Sequence, residues 1–420
     1  MTAVTDEKLD KQARKILRDN DRGGYTVPTS GLYPYQWNWD SMFSAWGIAT
    51  FDVRRAWFEI TTLLYGQWDN GMIPHIIFHK RAEGYFPGPD VWAVERVPHT
   101  SGISQPPVAA TMIRSIYESD KKAGRVHMEL IYGRLVSWHR WWMKNRVQDG
   151  MVAITHPWES GRDNAVDWDS AMQAVDGSNV GDYTRRDTSH VNPEMRPKKE
   201  DYDRYLALVQ FSRDNGWNEK YIAEHAAFRV ADVGMTFILL RACRDLLQIA
   251  ADLDHDTPEI EGWIETLEAG VANHWNPEGY YDSVNLRTGE FTGSLSSGSF
   301  LCWYAGVDPP EMMSHLKAIL AEVRYGVPSN DPRAETFNPL RYWRGPVWGM
   351  MNALIAIGLK DQGHTLTAER LRKDTRELIE DHGFYEYWSP VDGTPAGGRN
   401  FSWTAAIWLT WAGPHAKGGF

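Results

Sequence analysis

Residues 32–40 read LYPYQWNWD, an aromatic segment that leads directly into two stretches with helical spacing. Over residues 39–50 and 53–68, apolar side chains recur every three or four positions, which is typical of helices that bury one face. Only a short polar turn separates the two stretches. This part of the chain therefore predicts an aromatic loop followed by a helical hairpin.

The same arrangement recurs along the chain, and no long segment alternates apolar and polar residues as a half-buried strand does. Many of the predicted helices form pairs joined by short turns, as in a closed ring of helical hairpins. We therefore expect an all-α chain in which residues 1–420 form one domain, with loops inserted around residues 85–105 and 165–202. The predicted helices cover residues 7–20, 39–50, 53–68, 107–123, 128–144, 202–215, 219–253, 257–274, 310–325, 345–357, 366–381 and 402–412.

The composition is that of a soluble globular protein, with 42% hydrophobic and 24% charged residues. The net charge of -11, without a basic stripe, disfavours binding to nucleic acid. No window reaches the roughly 18 to 20 apolar residues of a membrane span, and the N-terminal segment lacks a signal-peptide core, so we predict a cytoplasmic protein. The two cysteines, Cys243 and Cys302, are too few for a disulfide framework and are interpreted as core residues.

Aromatic residues are unusually frequent, with 21 Trp, 18 Tyr and 14 Phe. Many of them stand between the predicted helices, in segments such as QWDNGMIPH (67–75), EGYFPGPDVW (83–92) and HPWESGRDN (156–164). If alternate loops of a helical ring converge on one face, these segments form an aromatic pocket that suits a sugar ring. A Trp-rich helical core is the alternative interpretation of the same composition.

Two carboxylates stand out by their setting, Asp163 in WESGRDN and Glu386 in GFYEYW. Aromatic neighbours would desolvate Asp163 and raise its pKa, as a general acid requires. A pair of carboxylates is the minimum equipment for glycoside hydrolysis. For each residue the alternative is a structural carboxylate that caps a helix or pairs with Arg, and Glu159 and Asp169 are local rivals for Asp163.

Other chemistries find little support in the sequence. Motifs of esterases, dinucleotide enzymes, NTPases and zincins are absent. His75, His79 and His99 are not at metal-ligand spacing and are interpreted as loop or core histidines with satisfied hydrogen bonds, and acids such as Asp90 lack a calcium-loop pattern. We therefore predict neither a metal nor another cofactor.

The ordered motifs LYPYQWNWD, WESGRDN, YWRGPVW, FYEYW and SWTAA resemble the glycoside hydrolases of the family that contains processing α-glucosidase. The similarity runs from about Tyr25 to Trp411, and within the family the chain looks most similar to hydrolases of glucosylglycerate and mannosylglycerate. It implies an (α/α)6 toroid with long loops covering one face. It also implies inverting hydrolysis with Asp163 as general acid and Glu386 as general base, which requires carboxyl groups about 6.5 to 9.5 Å apart.

The resemblance further implies two sets of substrate contacts. A glycerate carboxylate needs a cation and several hydrogen-bond donors. For Arg196 the alternative is an exposed salt bridge in the charged loop at residues 195–204; such a loop also predicts that Arg196 reaches the substrate only on closure. The implied sugar contacts are Tyr33, Trp37, Trp39, Asp40, Gln105, Trp158, Gly161, Trp343 and Trp348, and the implied glycerate contacts are Tyr85, Arg196, Tyr202 and Tyr342.

One position departs from the family pattern. Glycerate-specific members place a Gln before S-W-T, where this chain has Phe401, with Asn400 one step earlier. We expect that a sugar hydroxyl contact is lost or passes to Asn400. Because glucose and mannose differ only at C2, the choice between them stays open.

The sequence thus predicts an inverting α-glycosidase that releases glycerate from glucosylglycerate or mannosylglycerate. An α-glucosidase acting on a disaccharide or short oligosaccharide is the alternative, and it would need no cation beside the aglycone. A carbohydrate-binding protein on a degenerate toroid is the non-enzyme alternative. The predicted partner is a small sugar substrate, and the sequence leaves open whether the chain forms a homo-oligomer.

Overall fold

The structure, a computed structural model, describes residues 6–185, 187 and 191–416. Helices dominate these residues, as the apolar spacing predicts. The α-helices are α1 (Asp6–Asp19), α2 (Asn38–Ala49), α3 (Val53–Tyr65), α4 (Pro89–Trp92), α5 (Ala109–Ser119), α6 (Lys121–Asn145), α7 (Asp169–Met172), α8 (Lys199–Asp214), α9 (Glu219–His225), α10 (Val233–Asp252), α11 (Pro258–Val271), α12 (Pro310–Glu322), α13 (Gly349–Asp361), α14 (Thr365–His382) and α15 (Ser402–Ile407).

Six elements contact one another in a closed order. The order runs through α2, α5, α10, the 3-10 helix Ser299–Cys302, α13 and α15, which returns to α2. Other helices pack outside this ring: α1 on α15, α3 on α2, α6 on α5, α11 on α10 and α14 on α13. The inner helices α2 and α13 are buried almost all round, whereas α3 and α14 bury one face, as their apolar patterns require.

The predicted helix over residues 219–253 is wrong, because the structure has two helices there, α9 and α10. Between them the chain forms strand β6 (Val230–Ala231). The side chain of Asp232 then accepts hydrogen bonds from the backbone N–H groups of Gly234 and Met235 and begins α10 as its N-cap. Asp232 is a residue type that commonly caps helices, but the apolar spacing continues past it and favoured one long helix.

Short strands supplement the helices, and their pairing is antiparallel throughout the described residues. They are two to five residues long, too short for alternation to show in the sequence. Two groups matter for the site, the sheet β1-β2-β3 and the hairpin β11-β12. The strands are β1 (Gln36–Trp37), β2 (Ile76–Phe78), β3 (His99–Thr100), β4 (Val147–Gln148), β5 (Met151–Ile154), β6, β7 (Trp275–Asn276), β8 (Tyr280–Tyr281), β9 (Val284–Asn285), β10 (Glu290–Phe291), β11 (Tyr385–Trp388) and β12 (Pro395–Arg399).

The core confirms the interpretation of the cysteines, since Cys243 and Cys302 are buried free thiols. Tryptophan residues both fill the core and line a cavity, the two interpretations that the composition allowed. Trp138, Trp142 and Trp303 are fully buried in the core, while other tryptophans line a cavity described below. Within the described ranges, none of the helices has the length and apolar character needed to cross a membrane.

Candidate active site

Most of the predicted site residues line one cavity. They come from β1 and the first turn of α2, from segments between helices, from β11 and from the first turn of α8. Trp343 and Trp348 are the exceptions: their rings stack at 3.9 Å between centroids and lie behind Tyr342. The predicted residues that line the cavity are Tyr33, Trp37, Trp39, Asp40, Tyr85, Gln105, Trp158, Gly161, Asp163, Arg196, Tyr202, Tyr342 and Glu386.

The beginning of α2 forms one wall of the cavity. Trp37 ends β1 and precedes the helix, and Trp39 and Asp40 lie buried in its first turn. The first N–H groups of a helix have no partner within it, and Gln105 supplies one, because its side-chain oxygen accepts from the backbone N–H of Trp39 at 3.2 Å. Burial, with the nearby charges of Glu386 and Asp163, raises the pKa of Asp40 well above its usual value.

Gly161 allows the segment that carries Asp163 to close against α2. It ends the 3-10 helix Pro157–Ser160 with a φ of +68°, a left-handed conformation that favours glycine. A Cβ at this position would lie 2.5 Å from the ring of Trp39. Any larger residue would therefore push the Asp163 segment away from the cavity wall.

Buried hydrogen bonds anchor the backbone on both sides of Asp163. The hydroxyl of Tyr205 donates to the Asp163 carbonyl oxygen at 2.9 Å. The preceding residue, Arg162, is buried between the carboxylates of Asp167 and Asp232, at 3.3 and 2.8 Å. The backbone is thus fixed while the Asp163 side chain faces the cavity.

The environment of the Asp163 carboxyl group suits a proton donor. Burial raises its pKa to about 7, with Arg196 opposing the rise and Glu386 adding to it. A group with this pKa is partly protonated near neutral pH and can still release its proton, which are the requirements for a general acid.

The two rivals of Asp163 do not line the cavity. Glu159 accepts hydrogen bonds from the guanidinium of Arg146 and from the backbone N–H of Thr155, both at 2.8 Å. Asp169 accepts two hydrogen bonds from Arg344, at 2.6 and 2.8 Å. Both therefore have the structural role that was the alternative for Asp163.

A bulge in the hairpin β11-β12 holds Glu386. The register shifts at this point, so that Gly397 and Gly398 of β12 lie opposite Glu386 of β11. The backbone N–H of Gly398 donates to Glu386 Oε2 at 2.8 Å, and the hydroxyl of Tyr33 donates to Oε1 at 3.1 Å. Gly397 has a φ of +74°, and a Cβ there would overlap the carboxylate. The lack of a side chain at Gly397 and the backbone N–H of Gly398 thus position this group.

Donors around Glu386 favour its ionised form. Burial is the largest influence and leaves the pKa of this carboxyl group above its ordinary value, while Arg196, the Gly398 N–H and the Tyr33 hydroxyl oppose the rise. The sequence setting pointed to Glu386 through its aromatic neighbours. These donors come from elsewhere in the chain, so nothing in the local sequence indicates them.

Arg196 lies inside the cavity with only 4% of its surface exposed. Its guanidinium donates to Tyr33 Oη at 2.7 Å and to Asp187 Oδ2 at 3.1 Å, and its carbon lies 4.0 Å from the centre of the Tyr342 ring. Its Nη1 is 3.5 Å from Glu386 Oε1 and, among the described residues, has no hydrogen-bond partner. The alternative of an exposed salt bridge is therefore wrong, as is the expectation that Arg196 lies away from the cavity before closure.

Three tyrosines share the cavity with Arg196. Tyr85, Tyr202 and Tyr342 come from separate loops and from the first turn of α8. Burial raises the pKa of all three hydroxyl groups, so they are protonated donors at neutral pH. Together with the guanidinium they form a set of donors suited to an anion.

Of the three histidines, only His79 and His99 avoid the cavity. His79 is satisfied as predicted, because it pairs with the side-chain oxygen of Gln36 at 2.6 Å. For His75 the prediction is wrong: its ring lines the cavity beside Trp158, and its buried Nδ1 has no partner among the described residues. The aromatic segment QWDNGMIPH that contains His75 was the available signal.

In the described parts of the chain, no group of three or more His, Cys, Asp or Glu could hold a metal.

Phe401 lines the cavity, and its ring centre lies 4.4 Å from that of Trp403. Asn400 instead is exposed, with a φ of +51°, and does not contribute to the cavity. The expectation that Asn400 takes over a sugar contact is therefore wrong. An apolar ring occupies this part of the wall.

Comparison with known proteins places this cavity in context. The family model of the mannosylglycerate hydrolase MGH1-like glycoside hydrolase domain matches residues 33–404. A mannosylglycerate hydrolase of Thermus thermophilus is 45% identical over 95% of this chain and 99% of its own, and a glucosylglycerate hydrolase of Mycolicibacterium hassiacum is 34% identical over 98% and 99%. The crystal structure of a GH63 mannosylglycerate hydrolase from Thermus thermophilus with Tris and D-glycerate superposes with a TM-score of 0.93, at 44% identity and over 96% and 99% of the two chains.

Proposed function

The chain belongs to the MGH1-like family of glycoside hydrolases, and from this premise we propose that it releases glycerate from mannosylglycerate or glucosylglycerate by inverting hydrolysis. Two relatives are named for these substrates, and one related crystal structure contains D-glycerate. The observation in this chain that carries the proposal is the cavity that Asp163, Glu386 and Arg196 share.

Asp163 is the general acid and Glu386 the general base of the proposed reaction. Protonated Asp163 gives its proton to the glycosidic oxygen while the bond from that oxygen to the anomeric carbon breaks. Glu386 takes a proton from a water that attacks the anomeric carbon from the opposite face. The cycle ends with Asp163 ionised and Glu386 protonated, and exchange with solvent resets both groups.

The assignment of roles follows from the two environments. Asp163 has a pKa of about 7 and therefore carries a transferable proton near neutral pH. Glu386 accepts hydrogen bonds from Tyr33 and Gly398 and lies near Arg196, which all stabilise its ionised form. The assignment rests on the raised pKa of Asp163 and on the hydrogen bonds that Glu386 accepts, since different environments of two carboxyl groups are the usual basis of acid and base assignments.

Arg196 supplies the cation that a glycerate carboxylate requires. Its buried Nη1 lies 3.5 Å from Glu386 and has no hydrogen-bond partner among the described residues, and Tyr85, Tyr202 and Tyr342 line the same cavity. A neutral disaccharide offers Nη1 only uncharged hydroxyl oxygens, whereas a glycerate carboxylate forms the stronger charge-assisted hydrogen bond. The arrangement therefore favours glycerate over the oligosaccharide alternative.

The scaffold we propose is an (α/α)6 toroid that forms a single domain. The closed order of the six inner elements and the helices packed outside them support this architecture. The loops around residues 85–105 and 165–202 contribute Tyr85 and Arg196 to the cavity on one side of the ring. The scaffold thereby accounts for why residues distant in sequence meet.

An activity panel tests the proposed function. Purified enzyme is incubated with mannosylglycerate, glucosylglycerate, trehalose and kojibiose, and the released sugar is measured over time. We expect kcat/KM for at least one glycerate glycoside to exceed that for both neutral disaccharides by about tenfold or more, as one charge-assisted hydrogen bond predicts. A preference for trehalose or kojibiose would contradict the proposal.

A further inference from the structure

A fourth carboxyl group of the cavity, that of Asp187, lies beside Arg196. Its side chain accepts two hydrogen bonds from Arg185, at 2.6 and 3.0 Å, and one from Arg196 at 3.1 Å. Although burial raises the pKa of Asp187, Arg196 and Arg185 lower it below its usual value. Asp187 is therefore an ionised group on the guanidinium assigned to the substrate.

We propose that Asp187 competes with the glycerate carboxylate for Arg196 and thereby weakens the binding of glycerate and promotes its release. The inference rests on the proposed function, because it assumes a glycerate group beside Arg196. An enzyme that binds its product through a buried charge pair dissociates from it slowly. An internal carboxylate that re-pairs with the guanidinium lowers the free-energy cost of letting the product go.

Arg196 does not depend on Asp187 for its position. Its guanidinium also donates to Tyr33 and stacks on the ring of Tyr342, and Nη1 lies near Glu386. Removal of the Asp187 charge would leave these contacts in place. The guanidinium would then be more available to a ligand rather than displaced.

Charge also argues for competition instead of cooperation. Asp187 and Glu386 already flank Arg196, so a bound glycerate adds a third carboxylate to the same cation. Like charges close together in a buried site repel one another. Neutralising Asp187 removes one source of repulsion and frees the hydrogen-bonding capacity of Arg196 Nε, and both changes tighten the binding of an anion.

The test is the affinity for D-glycerate, measured by isothermal titration calorimetry with the wild-type enzyme and Asp187→Asn. We expect Asp187→Asn to lower Kd by about three- to thirtyfold, the range between an exposed ion pair and a charge-assisted hydrogen bond. Inhibition by glucose, which has no charge, should change less than twofold. Asp203→Asn is the matched control, since Asp203 pairs with Lys199 and does not line the cavity; its Kd should equal that of the wild type.

Asp187→Ser provides a second variant that also removes the amide left by Asn. An unchanged or higher Kd in both folded variants would overturn the proposal, as would a failure of both to fold, which would show that Asp187 is structural. If the wild type hydrolyses glycerate glycosides but neither variant binds glycerate more tightly, only the role of Asp187 fails. If the wild type neither binds glycerate nor hydrolyses its glycosides, the proposed function fails with it.

Discussion

The loop of Asp163 and the hairpin of Glu386 hold similar carboxyl groups in one cavity by different means. The loop fixes the backbone of Asp163, through Tyr205 and Arg162, and leaves the side chain in an environment that raises its pKa to about 7. The hairpin instead fixes the carboxylate of Glu386 itself, with donors on both oxygens. In the proposed mechanism, the position of these hydrogen bonds prepares the two carboxyl groups for opposite proton transfers.

Substitution of each carboxyl group provides the strongest test of this comparison. We expect Asp163→Asn and Glu386→Gln each to lower kcat by about 10² to 10⁴-fold on the natural substrate, the usual size of acid and base contributions. The substrate α-mannosyl fluoride separates them, because fluoride leaves without a proton. It should restore turnover in Asp163→Asn but leave Glu386→Gln inactive.

Equal rescue of the two variants, or rescue of Glu386→Gln alone, would show that the roles are misassigned. Asp169→Asn is the control for the Asp163 region, since Asp169 pairs with Arg344 and lies outside the cavity. Its kcat should stay within about threefold of the wild type, as for substitutions away from reacting groups. Circular dichroism of all three variants checks that they fold.

The glycine bulge offers a way to disturb the Glu386 side of the comparison alone. We expect Gly397→Ala to lower kcat by about 10 to 100-fold, because the added Cβ overlaps the carboxylate and a displacement near 1 Å has effects of this size. Gly289→Ala is the control, since Gly289 has a φ of +79° but no atoms within 4 Å of the position that its Cβ would occupy. It shares the backbone strain without the overlap, so steady-state kinetics should show a normal kcat. Similar losses in both variants would mean that backbone strain, and not displacement of Glu386, explains the effect.

Arg196 couples the two carboxyl groups, and its removal should shift the pH profile. Arg196 lowers the pKa of Asp163, so Arg196→Gln raises it. The protonated acid is then present to higher pH, and the basic limb of the kcat/KM profile should move upward from near pH 7. A basic limb that stays in place or moves downward would contradict the coupling. Lys199→Gln, a change on the exposed start of α8, is the control and should leave the profile unchanged.

The same variant should lose selectivity for the charged aglycone. A charge-assisted hydrogen bond contributes roughly 1.5 to 3 kcal/mol, so KM for a glycerate glycoside should rise about tenfold to a hundredfold. KM for a neutral α-glucoside should change much less. If the ratio of kcat/KM values for the two substrates is the same in Arg196→Gln as in the wild type, the oligosaccharide alternative is favoured instead.

Chelation should have the smallest effect, because neither carboxyl group is part of a cluster that could hold a metal in the described residues. We expect activity after dialysis against EDTA to equal that of the untreated enzyme. Activity that is lost on dialysis and returns with a divalent cation would show that the enzyme has a metal site that neither the sequence nor the structure indicated.

Local features of the sequence predicted much of this molecule. Apolar spacing located most of the inner and outer helices, although it missed the 3-10 helix Ser299–Cys302 and misplaced the break between α5 and α6, which lies at Asp120. Aromatic neighbours singled out Asp163 and Glu386. Spacing failed at residues 219–253, where the cap at Asp232 interrupts an apolar run. Apolar spacing also indicated no strands, since most strands have only two residues, which is too short for a periodic pattern.

Features that depend on distant partners could not be predicted from local sequence. Arg196 stands in a charged segment, yet Tyr33 and Glu386 hold it in the cavity from more than 150 positions away. In the sequence, Gly397 and Gly398 indicate only a turn. The register of β11 and β12 places them beside the carboxylate of Glu386. Asp187 lies in no recognisable motif, and only its contacts with Arg185 and Arg196 in the structure indicate a role in the cavity.

The configuration of the sugar at the moment of release shows directly whether Asp163 and Glu386 act as acid and base on opposite faces of the substrate. Proton NMR follows the anomeric signals during hydrolysis of mannosylglycerate or glucosylglycerate by the wild-type enzyme. We expect the β-anomer to appear first and only later to equilibrate with the α-anomer. Initial release of the α-anomer would contradict it, because Glu386 would then be a nucleophile rather than a base.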